Sequence, residues 1–282
     1  MELIPNYEAI IMRSGTSLNK SVLEKSDKLK IIARAGIGLD NIDIEVATKK
    51  GIQVINAPAS NAISTAEHTF ALMLSLARKI VFAHQSVING QWQKNIFRGV
   101  QLQGKTLGII GLGRIGTQVA IRGNAFGMKV IGYDPYISDK HAESTGALMT
   151  SFDSVCRDSD IITIHTPLND ETKGLISNRE LNLMKKSALL INCARGGICV
   201  EKDVAEKLAL GDIAGAAFDV LEKEPPEKGN LLLTAPNFII TPHLGAATDD
   251  AQNSVAIVIC ESLIDFFTKG LVVNGVNSPD HI

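Results

Sequence analysis

The 282-residue sequence predicts an α/β protein with two domains, each built on a parallel β-sheet. Three observations lead to this prediction. Short apolar runs alternate with helical stretches along nearly the whole chain, which is typical of parallel strands joined by crossover helices. The length is about twice that of an average domain. Apolar residues make up 45% of the chain and charged residues 21%, the balance of a globular protein with ordinary hydrophobic cores.

The first alternating segment contains three apolar runs and two helical stretches. The apolar runs are 9–11, 29–33 and 52–55, and the helical stretches between them are 18–26 and 42–50. Ser64 and Glu67 then have the spacing of a capping box, with Ser64 as the N-cap, and predict a long apolar helix that runs to about Lys79. We expect this helix to leave one domain and enter the other.

The alternation then restarts and supplies the strands of a full doubly wound sheet. Six apolar runs follow: 106–110, 129–133, 161–164, 188–191, 213–218 and 238–240. A last helical stretch, 249–268, leads to an apolar run at 271–273 that we expect to return to the first domain. We therefore expect a flavodoxin-like α/β domain at residues 1–75 plus 269–282, with a Rossmann domain at 76–268 inserted into it.

Charge and composition exclude several classes of function. The 28 Lys and Arg residues against 30 Asp and Glu leave a net charge of −2 without a long run of one sign, which disfavours nucleic-acid binding. The apolar stretches are far shorter than the ~20 residues of a membrane span, and no signal-peptide pattern opens the chain, so a cytoplasmic location is expected. The cysteines lack metal-ligand spacing and are expected to be reduced thiols without a metal site. They are Cys156, Cys193, Cys199 and Cys260.

A glycine-rich turn predicts a dinucleotide site. Gly111, Gly113 and Gly116 follow an apolar run and precede a helical stretch, in the pattern G-x-G-x-x-G. Gly111 would make the tight turn, Gly113 would let a pyrophosphate approach the backbone, and Gly116 would let the helix pack on the strand. The free N–H groups and the dipole at the helix N-terminus favour that anion.

Asp134 ends the next apolar run, near the ~20-residue spacing of a ribose-binding carboxylate. Its carboxylate would accept hydrogen bonds from the ribose 2′-OH and repel a 2′-phosphate, so NAD is predicted in preference to NADP. The alternative is a tightly packed turn in which Asp134 only caps the segment before Pro135. The complete strand, turn, helix, strand and acid pattern disfavours that alternative.

Polar or ionisable groups follow four later apolar runs. The carboxyl ends of parallel strands meet at one edge of a sheet, where ligands bind in this class of protein. These groups therefore predict a functional site at that edge. In chain order they are His165 and Thr166, Asn192 to Arg195, Asp219, and His243. His68 has no motif around it and is expected to be a structural or surface residue.

Three strings resemble the signatures of the D-isomer-specific 2-hydroxyacid dehydrogenases. They are Ala194 to Gly197, Glu224 to Pro226, and Pro242 to Ala246. The likeness extends over nearly the whole chain, with the motifs in a fixed order. Further strings are most similar to the phosphoglycerate dehydrogenase branch of this family. These are Arg34 to Gly36, Asp40 to Asn41, Tyr133 to Pro135, and Asn192 to Arg195.

The resemblance implies an enzyme that transfers hydride from C2 of a D-2-hydroxy acid to NAD. His243 would take the hydroxyl proton, and Glu224, rather than the neighbouring Glu222, would pair with it and favour the imidazolium. Arg195 would hold the substrate carboxylate through its planar fork of donors. The resemblance places Arg114 and Ile115 at the pyrophosphate. It places Cys193, Ala194, Arg195, Asp219, His243, Gly245 and Ala246 beside the nicotinamide.

In the phosphoglycerate branch the substrate is D-3-phosphoglycerate and the product is 3-phosphohydroxypyruvate, the entry to serine biosynthesis. Backbone N–H groups at Gly36 and Gly38 would hold a carboxylate. Arg34 would bind the phosphate, or alternatively pair with a surface carboxylate. Open alternatives are another D-2-hydroxyacid dehydrogenase, a glyoxylate or hydroxypyruvate reductase, and a non-catalytic NAD(H)-sensing binding protein.

Two further expectations concern assembly. The resemblance implies that the usual first strand and helix of the substrate domain are absent, so that this domain is N-terminally shortened. The segment 88–103, with Trp92 and Phe97 among polar residues, resembles the arm by which relatives dimerise. We therefore expect a homodimer through the NAD-binding domain, with a simple domain connector as the alternative.

Overall fold

The computed structural model describes residues 6–279 and contains ten strands and ten α-helices within that range. The strands are β1 (Ala9–Met12), β2 (Ile31–Arg34), β3 (Gln53–Asn56), β4 (Thr106–Ile110), β5 (Lys129–Tyr133), β6 (Leu148–Met149), β7 (Ile161–Ile164), β8 (Leu189–Asn192), β9 (Gly215–Phe218) and β10 (Phe238–Ile240). The helices are α1 (Lys20–Leu23), α2 (Ile44–Lys49), α3 (Ala62–Ala77), α4 (Ile80–Ile88), α5 (Arg114–Ala125), α6 (Asp139–Ser144), α7 (Phe152–Asp158), α8 (Asn178–Leu183), α9 (Glu201–Leu210) and α10 (Asp249–Lys269).

The chain divides into two units. The smaller unit is Met1–Asn61 with Ala246–Ile282, and the larger unit is Ala62–Gly245. The larger unit is therefore inserted into the chain of the smaller one. The boundaries differ from the expected positions near residues 75 and 268, and residues 280–282 lie outside the described part of the chain.

The smaller unit contains a three-stranded parallel sheet in the order β1-β2-β3. Ile32 and Val54 pack on the side of α1 and α2, while Ile31 and Ile55 pack with Ile259 of α10. Because α10 contacts β2 and β3, it belongs to this unit and not to the inserted one, contrary to the sequence prediction. The chain beyond α10 returns along β3, where Asn277 hydrogen-bonds the backbone of Val54 and Ile52.

The larger unit contains a seven-stranded, fully parallel sheet in the order β10-β9-β8-β7-β4-β5-β6. This confirms the parallel-sheet α/β fold that the alternating pattern predicts. One strand, β6, is two residues long and was not among the predicted runs. β7, β8 and β9 are buried along their whole length, as expected for strands covered by helices on both faces.

Helix α3 belongs to the larger unit and packs on β8, β9 and α5. Phe70 and Met73 are buried in the core on this face of the sheet, and a Cβ on Gly215 of β9 would lie 2.9 Å from the side chain of Leu76. The helix begins at Ala62, so the predicted N-cap Ser64 lies inside its first turn. The opposite face of the sheet is covered by α7, α8 and α9.

Within residues 6–279 no single helix is both long enough and apolar enough to cross a membrane. Helices α3 and α4 meet that length and composition only when taken together, and they are bent by 61° at the break between them. Most of the apolar side chains of α3 are buried in the core of the larger unit.

Candidate active site

The turn between β4 and α5 has the geometry that the glycine pattern predicts. Gly111 has a positive φ of 93°, and a Cβ there would lie 2.7 Å from the carbonyl oxygen of His165. A Cβ on Gly116 would clash with the carbonyl of Gly111, so α5 can pack closely only with glycine there. Gly113 is the N-cap of α5, makes no side-chain cap, and has open space within 4 Å of the position of a Cβ. An anion can therefore approach the backbone N–H groups of the first turn.

Asp134 lies at the carboxyl end of β5, beside this turn. One of its oxygens accepts a hydrogen bond from the backbone N–H of Leu112 at 2.9 Å, and the other accepts from Tyr136 at 2.9 Å. These bonds fix the carboxylate against the glycine turn. Each oxygen keeps a second lone pair for a further donor, such as a ribose hydroxyl.

His165 and Thr166 follow β7 and face Gly111. The Nδ1 atom of His165 and the Oγ1 atom of Thr166 are buried without a hydrogen-bond partner among the described residues. Burial lowers the pKa of His165 to about 3, so its imidazole is neutral near pH 7. Since buried polar atoms are normally paired, these two orphaned atoms beside an open anion cradle fit a bound polar group such as the dinucleotide.

The loop after β8 holds Arg195 through its own backbone. Asn192 donates to the carbonyl oxygen of Arg195 at 3.0 Å and accepts from the N–H of Ala194 at 3.0 Å. A Cβ on Gly196 would clash with the backbone of Leu221, which explains the glycine at that position. Within the same loop Cys193 is buried, and burial raises the pKa of its thiol to about 12, so it is not a nucleophile.

Asp219 follows β9 and organises the loop after β10. Its side chain is 1% exposed and accepts hydrogen bonds from the Thr241 hydroxyl at 2.6 Å and from the N–H groups of Leu244 and Gly245 at 2.8 and 2.7 Å. Burial raises the pKa of Asp219, but these bonds and one from His68 outweigh it and hold the pKa below its usual range. Asp219 is therefore an ionised acceptor that fixes this loop.

His243 lies in that loop and pairs with Glu224. Its Nδ1 atom is 2.8 Å from Oε2 of Glu224, and both side chains are partly exposed. Oε1 of Glu224 accepts from the backbone N–H of Leu221 at 3.1 Å, which orients the carboxylate. A carboxylate only accepts hydrogen bonds, so Nδ1 carries the proton and Nε2 is the basic nitrogen of the neutral ring. The two side chains are therefore paired, as the family resemblance implies.

These loops converge because their strands are neighbours. β8 pairs with β9 and β9 with β10, with Asn192, Phe218 and Ile240 in register. Arg195 and His243 therefore follow the carboxyl ends of strands on either side of β9. A cleft of about 390 Å³ lies beside His243, and most of its lining is apolar. Its lining residues are Asp219, Leu221, Glu224, Pro225, Pro226, Leu233, Ile240, Thr241, Pro242 and His243.

The predicted substrate contacts belong to the smaller unit. Arg34 ends β2, and its Nη1 donates to the carbonyl oxygen of Ala35 at 2.8 Å. Gly36 has a φ of 145°, and a Cβ there would clash with the guanidinium of Arg34. The carbonyl of Ile37, between the two predicted glycines, accepts from Asn56 at 2.9 Å. Ala246, expected beside the nicotinamide, is the first residue of the second segment of this unit.

Sequence reasoning missed the place of His68. This residue lies on α3, and its Nε2 atom is 3.1 Å from Asp219 Oδ1 and 3.0 Å from Thr241 Oγ1. Asp219 is 151 positions away along the chain, so no local motif marks the contact. The available signal is the helical spacing of Thr65, His68 and Thr69, which places three polar side chains on one face of the helix.

Comparison with known proteins identifies the family of this arrangement. Residues 70–245 match the family model of the D-isomer specific 2-hydroxyacid dehydrogenase, NAD binding domain. The chain is 48% identical to the D-3-phosphoglycerate dehydrogenase of Methanocaldococcus jannaschii over 281 residues, which are 99% of this chain and 53% of that protein. It is 48% identical to the Bacillus subtilis enzyme of the same name over 97% of this chain and 52% of that one. The chain thus spans about half the length of these curated relatives.

A solved structure extends the likeness to both units. The structure of D-lactate dehydrogenase from Aquifex aeolicus, complexed with NAD and lactic acid, matches with a TM-score of 0.88 and 31% identity. The match covers 99% of this chain and 89% of that one. From the family model over more than half of the sequence, and from this structure over most of both chains, it follows that the chain belongs to the D-isomer-specific 2-hydroxyacid dehydrogenase family and contains its NAD-binding domain.

Proposed function

We propose that this chain carries out the NAD-dependent oxidation of D-3-phosphoglycerate to 3-phosphohydroxypyruvate, the entry step of serine biosynthesis. The observation that carries the proposal is the 2.8 Å contact between His243 Nδ1 and Glu224 Oε2 at the carboxyl edge of the sheet. The contact leaves Nε2 of a histidine as a base beside the loop that carries Arg195. The choice of substrate is supported by relatives of that name at 48% identity.

The residues that would hold the cofactor are those of the glycine turn, with Gly113 open to the pyrophosphate and Asp134 set for the ribose hydroxyls. His165 and Thr166 would supply their unpaired atoms to the same ligand. When bound there, NAD supplies the hydride acceptor for the reaction. The Asp134 carboxylate would disfavour NADP by repelling its 2′-phosphate.

Three side chains would have separate roles in the reaction. Nε2 of His243 takes the proton of the C2 hydroxyl, whose O–H bond breaks while the C2 hydrogen leaves as hydride and C2 becomes a carbonyl. Glu224 holds the ring by its Nδ1–H and stabilises the imidazolium that forms. Arg195 binds the substrate carboxylate and polarises the C2 oxygen. In the reverse direction the His243 imidazolium returns the proton.

The substrate phosphate would be bound by Arg34. A guanidinium offers several N–H donors in a plane and is suited to phosphate oxygens. The backbone N–H of Gly38 would bind the substrate carboxylate. The N–H of Gly36, expected to share this role, instead donates to the carbonyl oxygen of Arg34 at 2.8 Å. The support for the roles of Arg34 and Gly38 is their position at and after the carboxyl end of β2, where ligands bind in open parallel sheets.

A second candidate is a dehydrogenase of a D-2-hydroxy acid with an apolar side chain. The observation that favours it is the apolar lining of the cleft beside His243, where Leu233 and Ile240 have no means of pairing with a phosphate. Reduction of glyoxylate or hydroxypyruvate would use the same His243, Glu224 and Arg195 groups.

We also propose a homodimer formed through the larger unit. Its segment 88–100 exposes several large apolar side chains to solvent, which is typical of an interaction surface. The exposed fractions are 66% for Ile88, 84% for Trp92, 57% for Ile96 and 50% for Val100. A cytoplasmic location is proposed from the cysteines, because all four are free thiols, the form that a reducing compartment maintains.

A substrate panel tests the function. Purified protein is mixed with NAD and D-3-phosphoglycerate, D-lactate, D-glycerate or D-2-hydroxyisocaproate, and the absorbance of NADH is followed. We expect turnover that is fastest with D-3-phosphoglycerate, and His243→Asn should abolish it. Faster turnover of D-2-hydroxyisocaproate would favour the second candidate. NAD binding without turnover of any of these acids would contradict an enzyme and favour a sensor of NAD(H).

A further inference from the structure

We propose that His68 is a positioning residue of this site: its imidazole holds the Asp219 carboxylate and, through that carboxylate, the loop that carries His243. The proposal rests on the proposed function, because it assigns His68 to the same reaction. His68 lies on α3, far in the chain from the loops after β9 and β10. It would act without touching the substrate.

The atom of His68 that holds the Asp219 carboxylate is Nε2. Nε2 lies 3.1 Å from Oδ1 of Asp219 and 3.0 Å from Oγ1 of Thr241. An ionised carboxylate accepts hydrogen bonds and cannot donate them, so Nε2 carries a hydrogen. The Thr241 hydroxyl gives its own hydrogen to Asp219 at 2.6 Å, and its oxygen can therefore accept from His68. One imidazole N–H thus serves both partners.

Asp219 passes this restraint to the backbone next to the base. Its two oxygens accept the N–H groups of Leu244 and Gly245, the residues directly after His243. The backbone carbonyl oxygen of Asp219 accepts a hydrogen bond from the N–H of His243 at 2.9 Å. His243 has a φ of 56°, a left-handed conformation that residues with a Cβ rarely adopt. Such a conformation persists only where the surroundings hold it, and Asp219 supplies those contacts.

Helix α3 touches the same loop at a second point. Thr65, three residues before His68 and therefore on the same face of the helix, donates to the carbonyl oxygen of Gly245 at 3.2 Å. The stripe of Thr65 and His68 therefore faces the loop as one surface. Without the His68 donor, the buried Asp219 carboxylate would lack one of its hydrogen-bond partners. The loop would then move away from the position in which Nδ1 of His243 contacts Glu224.

Two substitutions separate positioning from simple packing. His68→Leu removes the N–H donor and keeps an apolar side chain, whereas His68→Gln keeps an amide N–H at a similar reach. His84→Leu, on the exposed surface of α4, is the matched control. For each protein we would measure the melting temperature, the Kd for NAD, and kcat and KM for the substrate.

We expect His68→Leu to lower kcat by ~10-fold to 100-fold with KM and the Kd for NAD within about 2-fold, since a small misplacement of a base has effects of that order. His68→Gln should recover most of the lost kcat, and His84→Leu should behave as wild type. A purely structural His68 would lower the melting temperature without this pattern. Wild-type kcat in the Leu variant, or equal loss in the Leu and Gln variants, would overturn the proposal.

A measurement without turnover separates this proposal from the proposed function. NMR of protein labelled at histidine, with the His243 signals assigned from His243→Asn, reports the ring hydrogen bonded to Glu224. We expect His68→Leu to shift those signals and His68→Gln to restore them. Unchanged His243 signals in the Leu variant would overturn the role of His68 at any level of activity. Shifted signals in a protein that oxidises none of the acids would overturn only the proposed function.

Discussion

His243 Nδ1 lies 2.8 Å from Glu224 Oε2, while the other oxygen of Glu224 is held by the backbone N–H of Leu221. The carboxylate is therefore oriented before any substrate binds. Glu222, two residues earlier in the same charged run, instead places its backbone N–H against Glu201. In the structure, Glu224 is the acid that contacts His243. In the sequence, the main feature that favours Glu224 over Glu222 is the proline that follows Glu224.

Glu224→Gln should lower kcat by ~100-fold, the order of effect of a misdirected general base. An amide no longer fixes the Nδ1–H tautomer or stabilises the imidazolium, while the substrate and NAD contacts remain. KM and the Kd for NAD should therefore change little. Steady-state kinetics check this, with Glu222→Gln as the control. Loss of kcat in the Glu222 variant and not in the Glu224 variant would contradict the assignment.

Gly113→Ala should weaken NAD binding by ~10-fold or more without unfolding the protein. No atom lies within 4 Å of the new Cβ, and φ at this residue is −64°, so the fold can accept alanine. The methyl group would stand where the pyrophosphate must approach. Calorimetric titration with NAD and a melting curve check this. Gly229→Ala, also in open space, should leave NAD binding unchanged.

Arg34→Ala should raise KM for D-3-phosphoglycerate by ~10-fold to 100-fold, the loss of a charge-assisted hydrogen bond, and should change KM for D-glycerate much less. Lys30→Ala is the control, because Lys30 precedes β2 at its opposite end and pairs with Glu8. Equal changes for the two substrates would show that Arg34 does not bind phosphate.

Glu180 should make the stability of the larger unit depend on pH. Burial raises its pKa, but hydrogen bonds from Arg179 and Ser177 outweigh this and lower the pKa below the usual value. Its contribution is therefore complete above the unfolded-state pKa of ~4.3 and is lost as the pH falls through the lower folded-state pKa. Glu180→Gln should be less stable than wild type by about 1 kcal/mol at pH 7, and the difference should shrink as the pH falls below ~4.3.

Urea unfolding at a series of pH values from 7 downwards measures how much Glu180 contributes to the free energy of unfolding. The control is Glu206→Gln, because Glu206 is largely exposed and its only ion pair, within the described residues, is the 3.9 Å contact with Lys202. We expect that variant to track wild type at every pH. A constant difference between wild type and Glu180→Gln would show that the Glu180 charge contributes nothing to folding.

Local pattern predicts most of the sheet and the turns that flank it. Runs such as 161–164 are apolar because both faces of their strands are covered. Glycine is required at positions 111 and 116 because a Cβ there would clash with neighbouring backbone atoms. Pattern does not predict β6, which is only two residues long. It also fails to assign α3 and α10 to their sheets, because an apolar helix face does not specify its partner.

The contact of His68 with Asp219 shows the same limit within the candidate site. A histidine on an apolar helix has no local feature that distinguishes a surface residue from a partner of a buried carboxylate. Only the packing of α3 along β9, which brings His68 to the carboxyl end of that strand, creates that distinction, and this packing is set by long-range contacts. The catalytic residues that sequence reasoning predicts, Arg195, Glu224 and His243, each lie in a short motif.

The insertion of one unit into the other sets an order of events on the ribosome. The three strands of the small sheet emerge first, but α10, which covers one side of them, is translated only after every residue of the larger unit. Nascent chains therefore carry the apolar side chains of Ile31, Ala33 and Ile55 without their helix until synthesis passes residue 269. During that interval this sheet face exposes apolar side chains, and surfaces of this kind favour aggregation and chaperone binding.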